Sequence, residues 1–404
     1  MEVIRESVIE RLDMTKEISD EEIMEIIDEE ICKFAKQQTL TISERAGIRK
    51  ELFFSLRKLD ILQELVEDDS ISEIMVNGTQ YIFFEREGKL YQWDKRFTSK
   101  EKLENIVQQI AGSNNRIINE ASPIVDTRLE DGSRVNIVLA PVAIDGTCIS
   151  IRKFPKEPIL MKQLIENKSI SAEAAMFLKM LVHSGYNIFI SGGTGSGKTT
   201  FLNALSEYIP KKERVITIED SAELQISGIT NLVRLETRNS NMEGCDEITI
   251  RDLIRSALRM RPNRIIVGEI RGAEALDMLQ AMNTGHDGSL STGHSNSSMD
   301  MLKRIETMVL MGMELPVNAI RSQIASGIDI LVHLGRLRDK SRKVLNINEI
   351  AWFEKGEISL NPIFQFHEKE SEGITIEGEW RKVGELKHLE KLQDAGWNLD
   401  YEVV

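Results

Sequence analysis

The stretch that most narrowly limits how this chain can fold is residues 192–199, GGTGSGKT. It follows an apolar run through Ile188–Ile190 and precedes the amphipathic segment FLNALSEYI. The glycines let successive backbone N–H groups turn inward on an anion, and a helix starting directly afterwards adds the positive end of its dipole. In this GxxxxGK[ST] arrangement Gly192, Gly193, Thr194, Gly195, Ser196, Gly197, Lys198, Thr199 and the following Thr200 form a phosphate cradle. Lys198 neutralises β and γ oxygens, and the Thr199 hydroxyl is placed to ligate Mg²⁺. The bland alternative, a glycine-rich turn with no ligand, does not require the strand before and the helix after. No NKxD guanine selector occurs, so ATP is the expected nucleotide.

A strand that feeds such a loop belongs to a parallel sheet, and the flanking sequence alternates accordingly. Helical periodicity over 171–184, 198–209, 248–260, 273–284 and 297–311 is interleaved with the apolar runs YNIFIS, RVITIE, RIIV and GSLST. Strands separated by helices imply crossover connections and helices on both faces of the sheet. The expected fold is therefore α/β, with this core over 161–335 and a less regular C-terminal extension over 336–404.

Two different segments come first. In residues 1–65, SDEEIMEIIDEEICKFAK places Ile23, Ile26, Ile27, Ile31 and Phe34 on one helical face, with Ser19 and Glu22 as a capping box. Ile48, Leu52, Leu56 and Leu59 repeat the spacing in a second helix. From 66 to 154 short β-rich runs are punctuated by Asn77-Gly78, Glu87-Gly88 and Asp131-Gly132, which read as hairpin turns around one helix at 99–111. This is an α+β domain. Residues 155–160, carrying Pro155 and Pro158, read as a linker.

A length of 404 residues supports more than one core, and 41% apolar residues are ample to fill them. The net charge of −14, from 65 acidic and 51 basic residues, opposes stable binding of nucleic acid. Cys32, Cys148 and Cys245 lie far apart with no CxxC pair, which excludes a disulfide framework or a zinc cluster and fits a reducing cytosol. No signal sequence is legible, and the longest apolar runs fall short of the roughly 20 residues of a spanning helix, so membrane association is expected to be peripheral.

Acids stand at two further strand ends. RVITIE ends in Glu219, followed by Asp220, and RIIVGE ends in Glu269, with Gly268 where an Asp would commonly stand. In a parallel sheet, C-terminal strand ends line the ligand crevice, so these carboxylates are expected beside the phosphate loop rather than as mere surface acids. His294 follows another strand end and can donate to a γ-phosphate oxygen, the alternative being a satisfied structural histidine; His286 precedes the same strand. Arg134 and Arg152 lie on strands of the preceding domain, where either could stabilise phosphoryl-transfer charge or be a plain exposed cation. Arg251, Arg255, Arg259 and Arg261 form either a basic contact face or partners for nearby acids.

Together, SGGTGSGKTT, TIEDSAEL, RMRPNRIIVGEIRG and MNTGHDGSLSTGHSNS resemble the Walker A, Asp box, Walker B and His box of the secretion ATPase superfamily. That superfamily powers type II and type IV secretion and type IV pili, and the likeness is greatest to its CpaF (Tad pilus) branch. It runs from about Leu65 to Arg336. The resemblance implies a RecA-like P-loop ATPase core preceded by a PAS-like α+β domain that folds over the nucleotide and contributes Arg134 and Arg152. By the same likeness Gly268 is normal and Glu269 orients Mg²⁺ or its water, with Asp220 a further metal candidate. His294 senses the γ-phosphate. Glu219 is the favoured group for activating the attacking water, with Glu269 the open alternative. The resemblance further implies a homohexameric ring whose interdomain motion acts on an inner-membrane platform protein at the cytoplasmic face, extending or retracting a filament. The four-cysteine zinc module of many type II members is absent, so zinc is not expected. A nucleic-acid translocating motor and a non-hydrolysing nucleotide switch are the competing classes.

Overall fold

A computed structural model describes residues 2–397, except 13–15, 17, 37, 155–157, 239–245, 355 and 370–375. Part of the expected linker and Cys245 therefore lie outside the described residues. The chain divides into two compact units, Met1–Lys156 and Glu157–Val404.

The first unit opens with α1 (Glu2–Arg11), α2 (Asp20–Ala35), α3 (Ile42–Arg57) and α4 (Leu62–Glu67). The Ser19–Glu22 capping box forms as expected, with Ser19 Oγ accepting from Glu22 N–H at 3.2 Å and the Glu22 carboxylate accepting from Ser19 N–H at 3.0 Å. Ile23, Ile27, Ile31 and Leu52 bury against Ile4 and Val8 in a small helical core. A six-stranded antiparallel sheet follows, built from β1 (Ile71–Asn77), β2 (Tyr81–Arg86), β3 (Lys89–Gln92), β4 (Ile124–Arg128), β5 (Arg134–Val138) and β6 (Cys148–Arg152) in the order β3-β2-β1-β6-β5-β4. The helix α5 (Lys100–Gly112) covers one face through Leu103, Ile106, Val107 and Ile110. Glu87 and Gly88, at φ +52° and +73°, make the two-residue turn whose twist matches the flanking strands.

The second unit contains α6 (Met161–Glu166), α7 (Ala172–His183), β7 (Ile188–Gly192), α8 (Lys198–Ser206), β8 (Arg214–Glu219), β9 (Asn231–Glu236), α9 (Ile250–Ala257), β10 (Arg264–Val267), α10 (Glu274–Asn283), β11 (Leu290–His294), α11 (Ser298–Gly312), α12 (Val317–Gly327), β12 (Ile330–Arg336), β13 (Arg342–Glu354), β14 (Glu357–Glu368), β15 (Gly378–Lys382) and α13 (Glu390–Asp394). Nine strands form one sheet, ordered β15-β14-β13-β12-β7-β11-β10-β8-β9. The six from β12 to β9 are mutually parallel, and β13 to β15 add on antiparallel. Central strands are buried on both faces, which is why RVITIE and RIIV carry continuous apolar runs. One face packs on α7 and α8 through Leu178, Leu181, Phe201 and Leu205; the other packs on α9 to α12 through Ile254, Leu279, Ile305 and Ile324.

Two features differ from the sequence expectation. The strand β9 was not foreseen, because NLVRLE is half exposed at a sheet edge and has a weak pattern. The residues after 336 also do not stand apart, since β13 pairs directly with β12 and its apolar positions Val344, Ile347 and Ile350 join the two main cores. Among the described residues no helix is long and apolar enough to cross a membrane.

Candidate nucleotide site

The loop after β7 needs glycine for two separate reasons. Gly197 caps α8 at φ +92°, a left-handed conformation that a side chain strains, and offers no side chain to occupy the first N–H groups of the helix. At Gly192 a Cβ would come within 2.6 Å of both the Leu334 carbonyl and Ser196 Oγ. The loop is thus moulded closely on its own backbone and on β12. Gly193, Thr194 and Gly195 are exposed at its tip, whereas Ser196 and Lys198 are buried, and Thr199 and Thr200 lie in the first turn of α8.

Lys198 Nζ donates to the Gly192 and Gly193 carbonyls at 3.1 and 3.0 Å, which folds its cation back beneath the cradle. The same nitrogen lies 3.3 Å from His294 Nδ1. The β7–β11 register explains this meeting, since Gly192 and His294 are Cα partners on adjacent parallel strands. His294 Nε2 in turn lies 2.9 Å from Glu269 Oε1. Burial favours the neutral form of His294 and lowers its pKa, opposed by the nearby Glu269 carboxylate. Arg271 continues the chain, donating to Glu269 Oε2 at 2.8 Å and standing 3.6 Å from Asp220 Oδ2. Lys198, His294, Glu269, Arg271 and Asp220 therefore form a connected line from the loop to the tip of β8.

Glu219 reaches the same place from below. Its Oε2 accepts from the N–H groups of Glu223 and Leu224, both at 2.8 Å, while its buried Oε1 has no partner among the described residues. Burial pushes its pKa up to about 7, against the pull of those two N–H groups. A Cβ on Gly268 would lie 3.0 Å from Glu219 Cγ. The glycine before Glu269 is thus the space that the Glu219 side chain occupies, and an aspartate there would meet Glu219 in both volume and charge.

The structure brings together Lys198, Glu219, Asp220, Glu269 and His294 of the sequence-expected residues. Arg134 and Arg152 belong to the first unit, where they are Cα partners on β5 and β6, and Arg134 lies 3.8 Å from Asp126. Arg251 and Arg255 both pair with the buried Asp277 of α10, at 2.7 and 2.9 Å, which satisfies the pairing alternative for those two. His286 lies at the opposite end of β11 from His294. Sequence reasoning missed Arg271, although its place two residues beyond Glu269 was a usable signal. It also missed His333, whose Nδ1 lies 2.9 Å from Ser191 Oγ just before the loop, and Arg342, whose Nε donates to the Gly195 carbonyl at 2.9 Å. Nothing local to either residue announces that contact.

The site suits a phosphate chain with a divalent ion. Ser196 Oγ and Glu219 Oε1 are buried polar atoms without partners among the described residues, and such atoms usually mark a missing ligand or water. Among the described residues no group of three or more His, Cys, Asp or Glu side chains is placed to hold a metal.

A family model described as type II/IV secretion system protein matches residues 55–373. A putative conjugal transfer protein of Mycobacterium tuberculosis is 34% identical over 313 residues, which are 76% of this chain and 88% of that protein. The type IV secretion system protein PtlH of Bordetella pertussis is 32% identical over 324 residues, 74% of this chain and 94% of its own. Among solved structures, the Legionella pneumophila ATPase DotB matches with a TM-score of 0.51 at 24% identity, over 70% of this chain and 78% of that one, which is a likeness of fold. With its family model spanning most of the sequence and its phosphate loop set in a RecA-like sheet, the chain belongs to the type II/IV secretion system protein family.

Proposed function

We propose that this protein is a motor ATPase that binds ATP at residues 192–200 and hydrolyses it, and that its motion drives assembly or retraction of a Tad-type pilus. The observation that carries the reading is the line Lys198–His294–Glu269, which ties the phosphate loop to the strand-end carboxylates. Thr199, Glu269 and, less directly, Asp220 would hold Mg²⁺, which supplies charge neutralisation at the phosphate oxygens. Glu219 is the proposed general base. A pKa of about 7 lets it accept a proton near neutral pH, and Oε1 is free to face a water. Glu269 Oε2 accepts from Arg271, while Oε1, 2.9 Å from His294 Nε2, has no hydrogen-bond partner among the described residues, and the raised pKa is what favours Glu219 over it. His294 would report the γ-phosphate by exchanging Lys198 for a phosphate oxygen. Arg134 and Arg152 would supply transition-state charge from the first unit. A homohexamer acting on an inner-membrane platform protein at the cytoplasmic face completes the proposal.

The test is Lys198→Ala. Purified protein should lose ATP hydrolysis by about 10³-fold or more, and cells carrying the variant should lack surface filaments by electron microscopy. Intact hydrolysis overturns the site assignment, and intact filaments overturn the pilus assignment alone. A second reading, in which the same motor serves conjugal transfer or type IV secretion, is favoured by what two relatives above 30% identity are named for. Filaments unchanged with substrate transfer abolished would select it.

A further inference from the structure

The strands β12 and β13 are joined by residues 337–341, and their register sets Arg336 directly opposite Arg342. Like charges facing each other across an antiparallel ladder repel. Both side chains are exposed, and among the described residues neither reaches an acid within ion-pair distance. The third arginine of the same hairpin, Arg338, is paired with Glu368. The hairpin therefore neutralises one guanidinium and leaves two uncompensated.

Those two lie against the phosphate loop. Arg342 Nε holds the Gly195 carbonyl at 2.9 Å, and its Cδ is 3.4 Å from where a Cβ on Gly197 would sit. Arg336 Nη1 is 3.5 Å from the corresponding point on Gly195. Arg342 also borders a cavity of about 270 Å³ that opens beside Ser196, Gly197 and Thr200 and continues between Phe201 and Val344. Lys198, His294, Glu269 and Arg271 are not part of that cavity's wall. The hairpin cations thus attend the start of α8 and the loop tip, away from the carboxylate line.

We propose, building on the reading that ATP binds at this loop, that Arg336 and Arg342 form a clip on the α- and β-phosphates of the nucleotide. Guanidinium forks match phosphate oxygens, and a polyanion converts the Arg336–Arg342 repulsion into shared attraction. A group that touches only α- and β-oxygens meets the same partners in ATP and in ADP, so it contributes to the binding of both. Its loss is therefore read in the Kd of both nucleotides.

The experiment is calorimetric titration of the full-length wild type, Arg336→Ala, Arg342→Ala, the double variant and Arg342→Lys with ATP and ADP, alongside melting of each without nucleotide. The double variant is expected to bind both nucleotides more weakly by ~10- to 100-fold, with Arg342→Lys intermediate because it keeps the charge and loses the fork. Its nucleotide-free melting temperature is expected to hold or rise, because a repulsive pair has been removed; a merely structural pair would lower it. Unchanged ADP affinity in the double variant, with normal binding by the wild type, overturns the clip alone. So does a loss confined to kcat, or a change of oligomeric state with affinity intact. Absence of nucleotide binding to the wild type overturns the reading of the site and the clip with it.

Discussion

Gly268 shows how a single missing side chain can be as specific as a present one. Its empty volume is filled by Glu219, whose Cγ would be 3.0 Å from a Cβ there. Gly268→Ala is expected to destabilise the protein by about 1–3 kcal/mol through overpacking and to displace Glu219, so denaturant unfolding and ATPase assays should both report a loss. Normal stability with normal turnover would show that Glu219 has room to move. Glu219 itself ties stability to pH. The folded protein retains its proton up to about pH 7, whereas the ordinary carboxyl value is 4.5, so the folded state binds more protons between those limits. Stability without nucleotide should therefore fall as pH rises through that window, by roughly 3 kcal/mol in total. Glu219→Gln should flatten this dependence in thermal melts from pH 5 to 8 while lowering hydrolysis by about 10²-fold or more. An unchanged pH profile in the variant would mean that another group titrates.

At the scale of elements, the segment after β15 is tied back to the sheet in part by a buried carboxylate on β13. Glu349 of β13 accepts from the N–H groups of Lys387 and His388 at 3.0 and 2.8 Å and from Asn361 Nδ2 at 2.8 Å. Tyr186, at the start of the segment leading to β7, donates its hydroxyl to the His388 carbonyl at 2.6 Å. Glu349→Ala would leave these partly buried donors unmatched, at a cost of about 1–3 kcal/mol. Limited proteolysis should then cut within 383–397 before the rest of the second unit, and resistance equal to the wild type would assign the anchoring to the apolar contacts of Leu386 and Leu392 instead. Secondary structure at this scale was largely legible. The helices α7 to α11 and the strands β7, β8, β10 and β11 follow from periodicity and apolar runs, since each is decided by its own residues. The edge strand β9 was not legible, because a half-exposed strand owes its form to the neighbours it packs on; α12 was also missed, although Ile320 and Ile324 keep helical spacing.

At the scale of the whole molecule, each unit has its own buried core, so each can be tested alone. Residues 1–156 should melt cooperatively in circular dichroism and bind no ATP. Residues 158–404 should retain ATP binding but hydrolyse it ~10³-fold more slowly than the full chain, because Arg134 and Arg152 are gone. Full activity in the isolated second unit would remove those arginines from the mechanism.

The sequence by itself determined the phosphate loop, the alternation of strand and helix, and the presence of acids at two strand ends. These are local properties: φ freedom at glycine, side-chain period, and the order of residues along one strand. Only the tertiary structure decided which of them meet. His294 is 96 positions from Lys198, and Arg342 is 147 from Gly195. Their contacts exist because parallel pairing aligns the ends of β7 and β11 and because β13 folds back along β12. Such register is chosen by the summed burial of both sheet faces, a quantity that no single segment carries.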